Sequence, residues 1–121
     1  MSIKSHELPK CFTEWGYKFH HLGMPTNKEQ PNEKYIPKFG LYTSGFADNP
    51  FGIEMMRYEK DSSIDKKIQE QPHIAFVVDD LDHELKVRGF NVLTPPNSPS
   101  DGARVAMIEY NGVVIELIEF R

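Results

Sequence analysis

The chain carries one cysteine, Cys11, so no intrachain disulfide can form, and a reducing cytoplasm is the expected compartment. Apolar residues nowhere run together over a membrane-spanning length, and the opening "MSIKSHELPK" has no apolar segment of the kind that heads a secretory signal. Basic residues are outnumbered by acidic ones, with a net charge of −4; without a basic stripe to neutralise phosphates, nucleic acid is not an expected partner. Also missing are GxGxxG, a P-loop, GxSxG and CxxC, which removes the usual support for nucleotide folds and for serine or disulfide chemistry. What remains is 121 residues with 39% hydrophobic and 26% charged content and nine prolines. That describes one loop-rich globular domain, able to bury roughly two thirds of its unfolded surface.

Several strands can be read from local pattern. "KFHHLGM" (18–24) is a short apolar run ended by Pro25, and the proline-rich, charged "PTNKEQPNEKYIP" that follows reads as a loop. "FGLYTSG" and "FGIEMMRYE" form a candidate hairpin across "FADNP". A short helix is expected within "DSSIDKKIQEQ" (61–71). "HIAFVV" reads as a strand and "DDLDHELKVRG" as a helix, with Asp79 or Asp80 as cap, Leu81, Leu85 and Val87 as apolar stripe and Gly89 as stop. "FNVLTPP" is a further strand. "RVAMIEY" and "VVIELIEF" are two more, joined by Asn111-Gly112, a strong hairpin signal. The second half therefore reads β-α-β-β-β.

Glu116 sits in the middle of the apolar "VVIELIEF". An ionised carboxylate in a core needs a salt bridge, a solvent-facing side or a metal, because unpaired burial costs several kcal/mol. An internal repeat narrows the choice. "HLGM" (21–24) matches "HIAF" (73–76) as His, aliphatic, small, large apolar, and "GIEMM" (52–56) matches "VIELI" (114–118). His21 precedes Glu54 by 33 residues and His73 precedes Glu116 by 43, the first half being shorter by about a helix where the proline-rich loop stands. A lone histidine is more often structural than ligating. Two at matching places, each with a strand-embedded glutamate, make His21, Glu54, His73 and Glu116 a coherent ligand set for Zn, Ni, Co or Mn. Two neutral imidazoles and two carboxylates balance a divalent charge and leave two octahedral positions for a bidentate oxygen substrate.

"HHLGMPT", "HIAFVVDDLD" and "GARVAMIEYNGVVIELIE" resemble the vicinal oxygen chelate superfamily, which includes glyoxalase, methylmalonyl-CoA epimerase, extradiol dioxygenases and the fosfomycin and bleomycin resistance proteins. The resemblance spans about 18 to 121. It implies an α+β fold of two βαβββ modules whose sheets curve around a metal, here with the first helix shortened or replaced by a loop. Glyoxalase-type members take one His and one Glu from each module, and the four residues named above fall on those positions. Epimerases usually carry Gln where this chain has Glu54. The first module lacks the amphipathic helix that normally helps hold glutathione.

The division expected on this basis is an N-terminal extension (1–17), a first module (18–60), a linker with a short helix (61–72) and a second module (73–121). The resemblance implies a lyase or isomerase acting through an enediolate, with the metal as Lewis acid and Glu116, or Glu54 beside it, as general base. An acyl-CoA epimerase is one alternative; a non-catalytic binder of a small molecule or drug is another. Met56 and Tyr58 share a strand face with Glu54 and are candidate cavity walls. Tyr42 is a third candidate wall, and Arg104 a candidate contact for an anionic substrate. By strand alternation His20 should face away from His21. Glu109 and Glu119, at strand ends, should be solvated. Homodimers are expected, since curved half-sheets leave edges and apolar faces to cover.

Overall fold

Asn111 and Gly112 both take positive φ, 49° and 84°, the conformation a two-residue hairpin turn requires. They join the two longest strands of the second half in a computed structural model that describes residues 7–121. In chain order the elements are α1 (Lys10–Thr13), β1 (Lys18–Pro25), β2 (Lys34–Ile36), β3 (Leu41–Ser44), β4 (Ile53–Tyr58), α2 (Lys66–Gln69), β5 (His73–Val77), α3 (Leu81–Arg88), β6 (Asn91–Asn97), β7 (Ala103–Tyr110) and β8 (Val113–Phe120). A 3-10 turn at Phe46–Asp48 separates β3 from β4.

The eight strands form one mixed sheet in the order β2-β3-β4-β1-β5-β8-β7-β6. Each half repeats the other. β1 runs parallel to β4 and β5 parallel to β8, and each pair continues outward through antiparallel neighbours. β1 and β5 meet antiparallel with Leu22 opposite Ile74, so His21 faces Ala75 and Gly23 faces His73 symmetrically about that pair. In the parallel pairs Gly23 lies beside Glu54 and Ala75 beside Glu116. The residue two beyond each histidine thus neighbours the matching glutamate, and the repeat in the sequence is a repeat in register.

The halves differ where the sequence differs. The second has its crossover helix, α3, capped by the Asp80 carboxylate accepting from His83 N and stopped by Gly89 at φ 66°. The first has loop 26–33 instead, then the three-residue β2, which pairs with β3. Lys34, Tyr35 and Ile36 had read as part of the loop; their strand exists through its β3 partner, a tertiary contact without local signature. β6 continues through Pro95 and Pro96, as an outermost strand permits because its outer N–H groups need no partner.

The largest core cluster lies on the convex side of the second half. Phe76, Val78, Leu81, Ala106, Ile108 and Leu117 pack there, with Tyr17 and the partly buried Cys11, Phe12 and Trp15 of the N-terminal segment laid over them. The inward face of α3 carries both of its leucines but not its valine. Leu81 is fully buried and Leu85 partly so, while Val87 is exposed. Glu84 takes the inward position, accepting from Tyr17 Oη at 2.6 Å and from Arg88 Nε at 3.0 Å. Positions 81, 84, 85 and 88 share one helical face and 87 does not.

Two strand-end glutamates are corrected in the same way. Glu119 is buried, its Oε1 accepting from Leu81 N at 2.8 Å and its Oε2 from Arg121 Nε at 2.7 Å, so it ties β8 to the first turn of α3. Glu109 is half-buried, paired with Lys67 and accepting from Asn91. On the convex side of the first half, where a helix is missing, Tyr42 packs against Tyr35, Arg57 lies 4.1 Å above the Tyr42 ring, and Glu33 takes two hydrogen bonds from Arg57. Among the described residues no helix is long and apolar enough to cross a membrane.

Candidate metal centre

The concave side of the sheet holds a cavity of about 540 Å³. At its floor the four central strands present His21 (β1), His73 (β5), Glu54 (β4) and Glu116 (β8). Both imidazoles are buried, at 5% and 3% exposure. Glu116 Oε1 lies 3.0 Å from His73 Nε2 and 3.3 Å from His21 Nε2, and ligand atoms of these three residues all fall within 4.8 Å of one another. Glu54 stands to one side, its Oε1 3.6 Å from His21 Nε2, with a side chain 24% exposed against 15% for Glu116.

Among the described residues neither buried nitrogen, His21 Nε2 or His73 Nε2, makes a well-aligned hydrogen bond; what each meets is carboxylate oxygen, Glu116 Oε1 at 3.3 and 3.0 Å. Buried polar atoms without partners are uncommon in native folds and call for an explanation, an ion among them. Here two nitrogen lone pairs and a carboxylate oxygen point at one place, a donor set that suits a divalent cation of the zinc, nickel, cobalt or manganese kind. The residues present therefore fit a metal.

His73 owes its position to the strand opposite. A Cβ on Gly23 would sit 2.2 Å from His73 Cε1 and 2.5 Å from its Nε2, so only glycine leaves room for the ring. Ala75 occupies the equivalent place before His21. The small residue in each copy of the repeat was visible in the sequence; what it makes room for was not.

The charges of the group oppose one another. Burial alone would raise the pKa of Glu116, but the close approach and positive charge of His21 and His73 outweigh it and bring the group down to about 2. Burial raises Glu54, and the charge of Glu116 raises it further against the partial pull of the two histidines. Burial would lower His21, yet contact with Glu116 and the charges of Glu116 and Glu54 carry it above its ordinary 6.5. Burial, then the two carboxylates, holds the Tyr58 phenol well above its usual range. A proton on His21 competes with a cation for the same site. Metal affinity should therefore rise as pH is raised through the His21 pKa and weaken below it, as zinc titrations between about pH 5.5 and 8.5 will show.

Met56 and Tyr58 line the cavity beside Glu54, as alternation along β4 requires. Tyr42 and Arg104 do not. Leu41 and Thr43 take the concave positions on β3, which puts Tyr42 on the convex side with Arg57. Ala103, Val105 and Met107 take them on β7, so Arg104 points the other way and donates to Asp82 of α3 at 2.8 Å. His20 is the opposite case. A bulge in β1 between Phe19 and His21 breaks the alternation and brings His20 to the cavity beside His21. Thr94 and Asn97 of the irregular strand β6 also line the cavity, unmarked by any sequence pattern.

No protein-family model and no curated protein sequence matches the chain. Solved structures do. A hypothetical protein of Bacillus halodurans superposes with a TM-score of 0.68 at 21% identity, over 87% of this chain and 95% of its own. Methylmalonyl-CoA epimerase of Mycobacterium tuberculosis gives 0.62 at 19%, over 85% and 87%. A variant of the Streptomyces coelicolor methylmalonyl-CoA epimerase, solved with 2-nitronate-propionyl-CoA, gives 0.53 at 19%, over 84% and 96%. The chain shares its fold with these structures, two similar halves on one curled sheet, with a loop where the second half has its crossover helix.

Proposed function

We propose that this chain is a metal-dependent lyase or isomerase that moves a proton at the carbon beside a carbonyl in a small substrate with two neighbouring oxygens. The observation that carries this reading is the convergence of two buried imidazole nitrogens and one carboxylate oxygen at the cavity floor. His21, His73 and Glu116 would hold the divalent ion, with Glu54 as a fourth oxygen within reach. When bound, the ion supplies Lewis-acid polarisation of the carbonyl.

The geometry favours Glu54 over Glu116 as the proton carrier. Glu116 lies between two imidazoles and binds protons poorly. Glu54 touches one of them at longer range, opens further onto the cavity and holds a proton more readily. A base whose pKa approaches the working pH both takes and returns a proton well. Tyr58, kept neutral, offers a phenol O–H on the same face. Phe39, Leu41, Met56, Met107, Val105 and Ile118 give the cavity apolar walls that keep water from the reacting carbon.

The walls also bear on the substrate. Arg57, Arg88, Arg104 and Arg121 are each paired with a carboxylate, and among the described residues Lys34 is the one lysine or arginine lining the cavity. This suits a compact, largely apolar body with at most one anionic group. A second reading, acyl-CoA epimerisation, draws support from the structural likeness to methylmalonyl-CoA epimerases. Deuterium uptake from heavy water into ketoaldehyde hemithioacetals, hydroxyketones, acyl-CoA epimers and catechols separates the readings. Exchange confined to the acyl-CoA epimers selects the second. No exchange in any, with tight ligand binding by metal-free protein, selects a binding role.

A homodimer is part of the proposal. Phe19, Phe51 and Phe120 are exposed, and among the described residues β2 and β6 end the sheet unpaired on their outer sides. Light scattering at micromolar concentration should give twice the chain mass; a monomer would contradict it.

A further inference from the structure

The bulge in β1 places two histidine rings in direct contact. His20 Nδ1 and His21 Nδ1 are 2.8 Å apart, a distance that two nitrogens hold only with one proton between them. Resting on the metal reading above, His21 must keep the Nε2 lone pair free to face the ion. A neutral imidazole carries a single N–H, so in that state it sits on Nδ1 and donates to His20 Nδ1. His20 is itself fixed, stacked on Phe46 with ring centroids 4.8 Å apart and planes 14° apart, and tilted against Phe120 at 5.5 Å.

We propose that His20 is a positioning residue: its Nδ1 accepts the His21 Nδ1–H, selecting the tautomer and ring orientation that aim His21 Nε2 at the metal. The two ligating histidines are then held by different means. His73 is wedged against the backbone at Gly23, where packing fixes the ring. Facing the larger Ala75, His21 is held by a hydrogen bond to its sequence neighbour. Outer partners of this kind orient a metal-binding imidazole and raise its basicity, and losing one commonly weakens metal affinity by about 10- to 100-fold.

Two substitutions with opposite chemistry test this. In His20→Asn the amide oxygen can take the place of Nδ1 as acceptor but the ring stack is lost; in His20→Phe the stack on Phe46 is kept and the acceptor is lost. Zinc affinity of the full chain, measured by chelator competition, should stay within about threefold of wild type in His20→Asn and fall about 10- to 100-fold in His20→Phe. A role in packing alone gives the reverse order and would overturn the proposal, as would equal affinity in both variants and wild type. Nitrogen-15 spectra of the metal-free wild-type chain supply a second readout, free of any variant's folding. With the spectra recorded at a pH where the His21 ring is neutral, its proton on Nδ1 supports the proposal and its proton on Nε2 overturns it. Wild type that takes up no zinc overturns the metal reading instead, and the spectrum then still decides whether His20 sets the His21 tautomer.

Discussion

Gly23→Ala should weaken divalent-metal binding by two or more powers of ten while the chain stays folded. Gly23 has ordinary strand backbone, paired with both β4 and β5, so alanine is acceptable to its main chain. The methyl is not acceptable to His73. It would lie 2.2, 2.5 and 2.7 Å from Cε1, Nε2 and Nδ1 of a ring that is 3% exposed. The flexible partner in that clash is the ring, which must rotate off its present line and take Nε2 away from Glu116. Losing one of three converging donors at about 1.4 kcal/mol per power of ten puts the expected cost near 3 kcal/mol or more in binding. Zinc titration reads the loss and a thermal melt checks the fold. Unchanged affinity would mean that His73 is not a ligand in the orientation seen here.

Substituting each glutamate separately should give two different failures. Glu54→Gln should keep most metal affinity and lose about 10²- to 10⁴-fold in turnover, because the amide retains size and an oxygen but cannot accept the substrate proton. Glu116→Gln should lose metal affinity first, since it removes the negative charge lying between His21 and His73. Deuterium exchange at saturating metal, alongside metal titration of each variant, separates binding from proton transfer. Wild-type exchange in Glu54→Gln, with exchange lost from metal-loaded Glu116→Gln, would return the base to Glu116, where the sequence first suggested it.

What the sequence revealed and what it hid follow from the range of the interactions concerned. The His and Glu repeat was readable because each pair occupies equivalent positions on parallel strands, so the periodicity survives the missing helix. The Asn111-Gly112 hairpin and α3 were readable because turn, cap and stop are local chemistry. His20 was misplaced because a bulge is settled by how β1 pairs with β5, and no residue within β1 announces it. Tyr42 and Arg104 looked available for substrate only while their strands had no assigned face; alternation sends both to the convex side, where Arg57 and Asp82 meet them. Glu119 reads as a solvated strand end until α3 folds across it and offers the Leu81 N–H. Each of these misses concerns a partner distant in sequence, whereas Val87 was misread within α3 itself, being off the helical face that holds 81, 84, 85 and 88.

The most direct test of a metal centre built from His21, His73 and Glu116 is calorimetric titration of the metal-free full chain with zinc, nickel, cobalt and manganese, repeated on His21→Ala and His73→Ala. The expected result is one ion per chain, with at least one of these metals bound tightly by wild type and bound at least about 100-fold more weakly by either variant. No saturable binding by wild type, or binding that both substitutions leave unchanged, would contradict the account, because the two buried nitrogens would then be held by their contact with Glu116 alone.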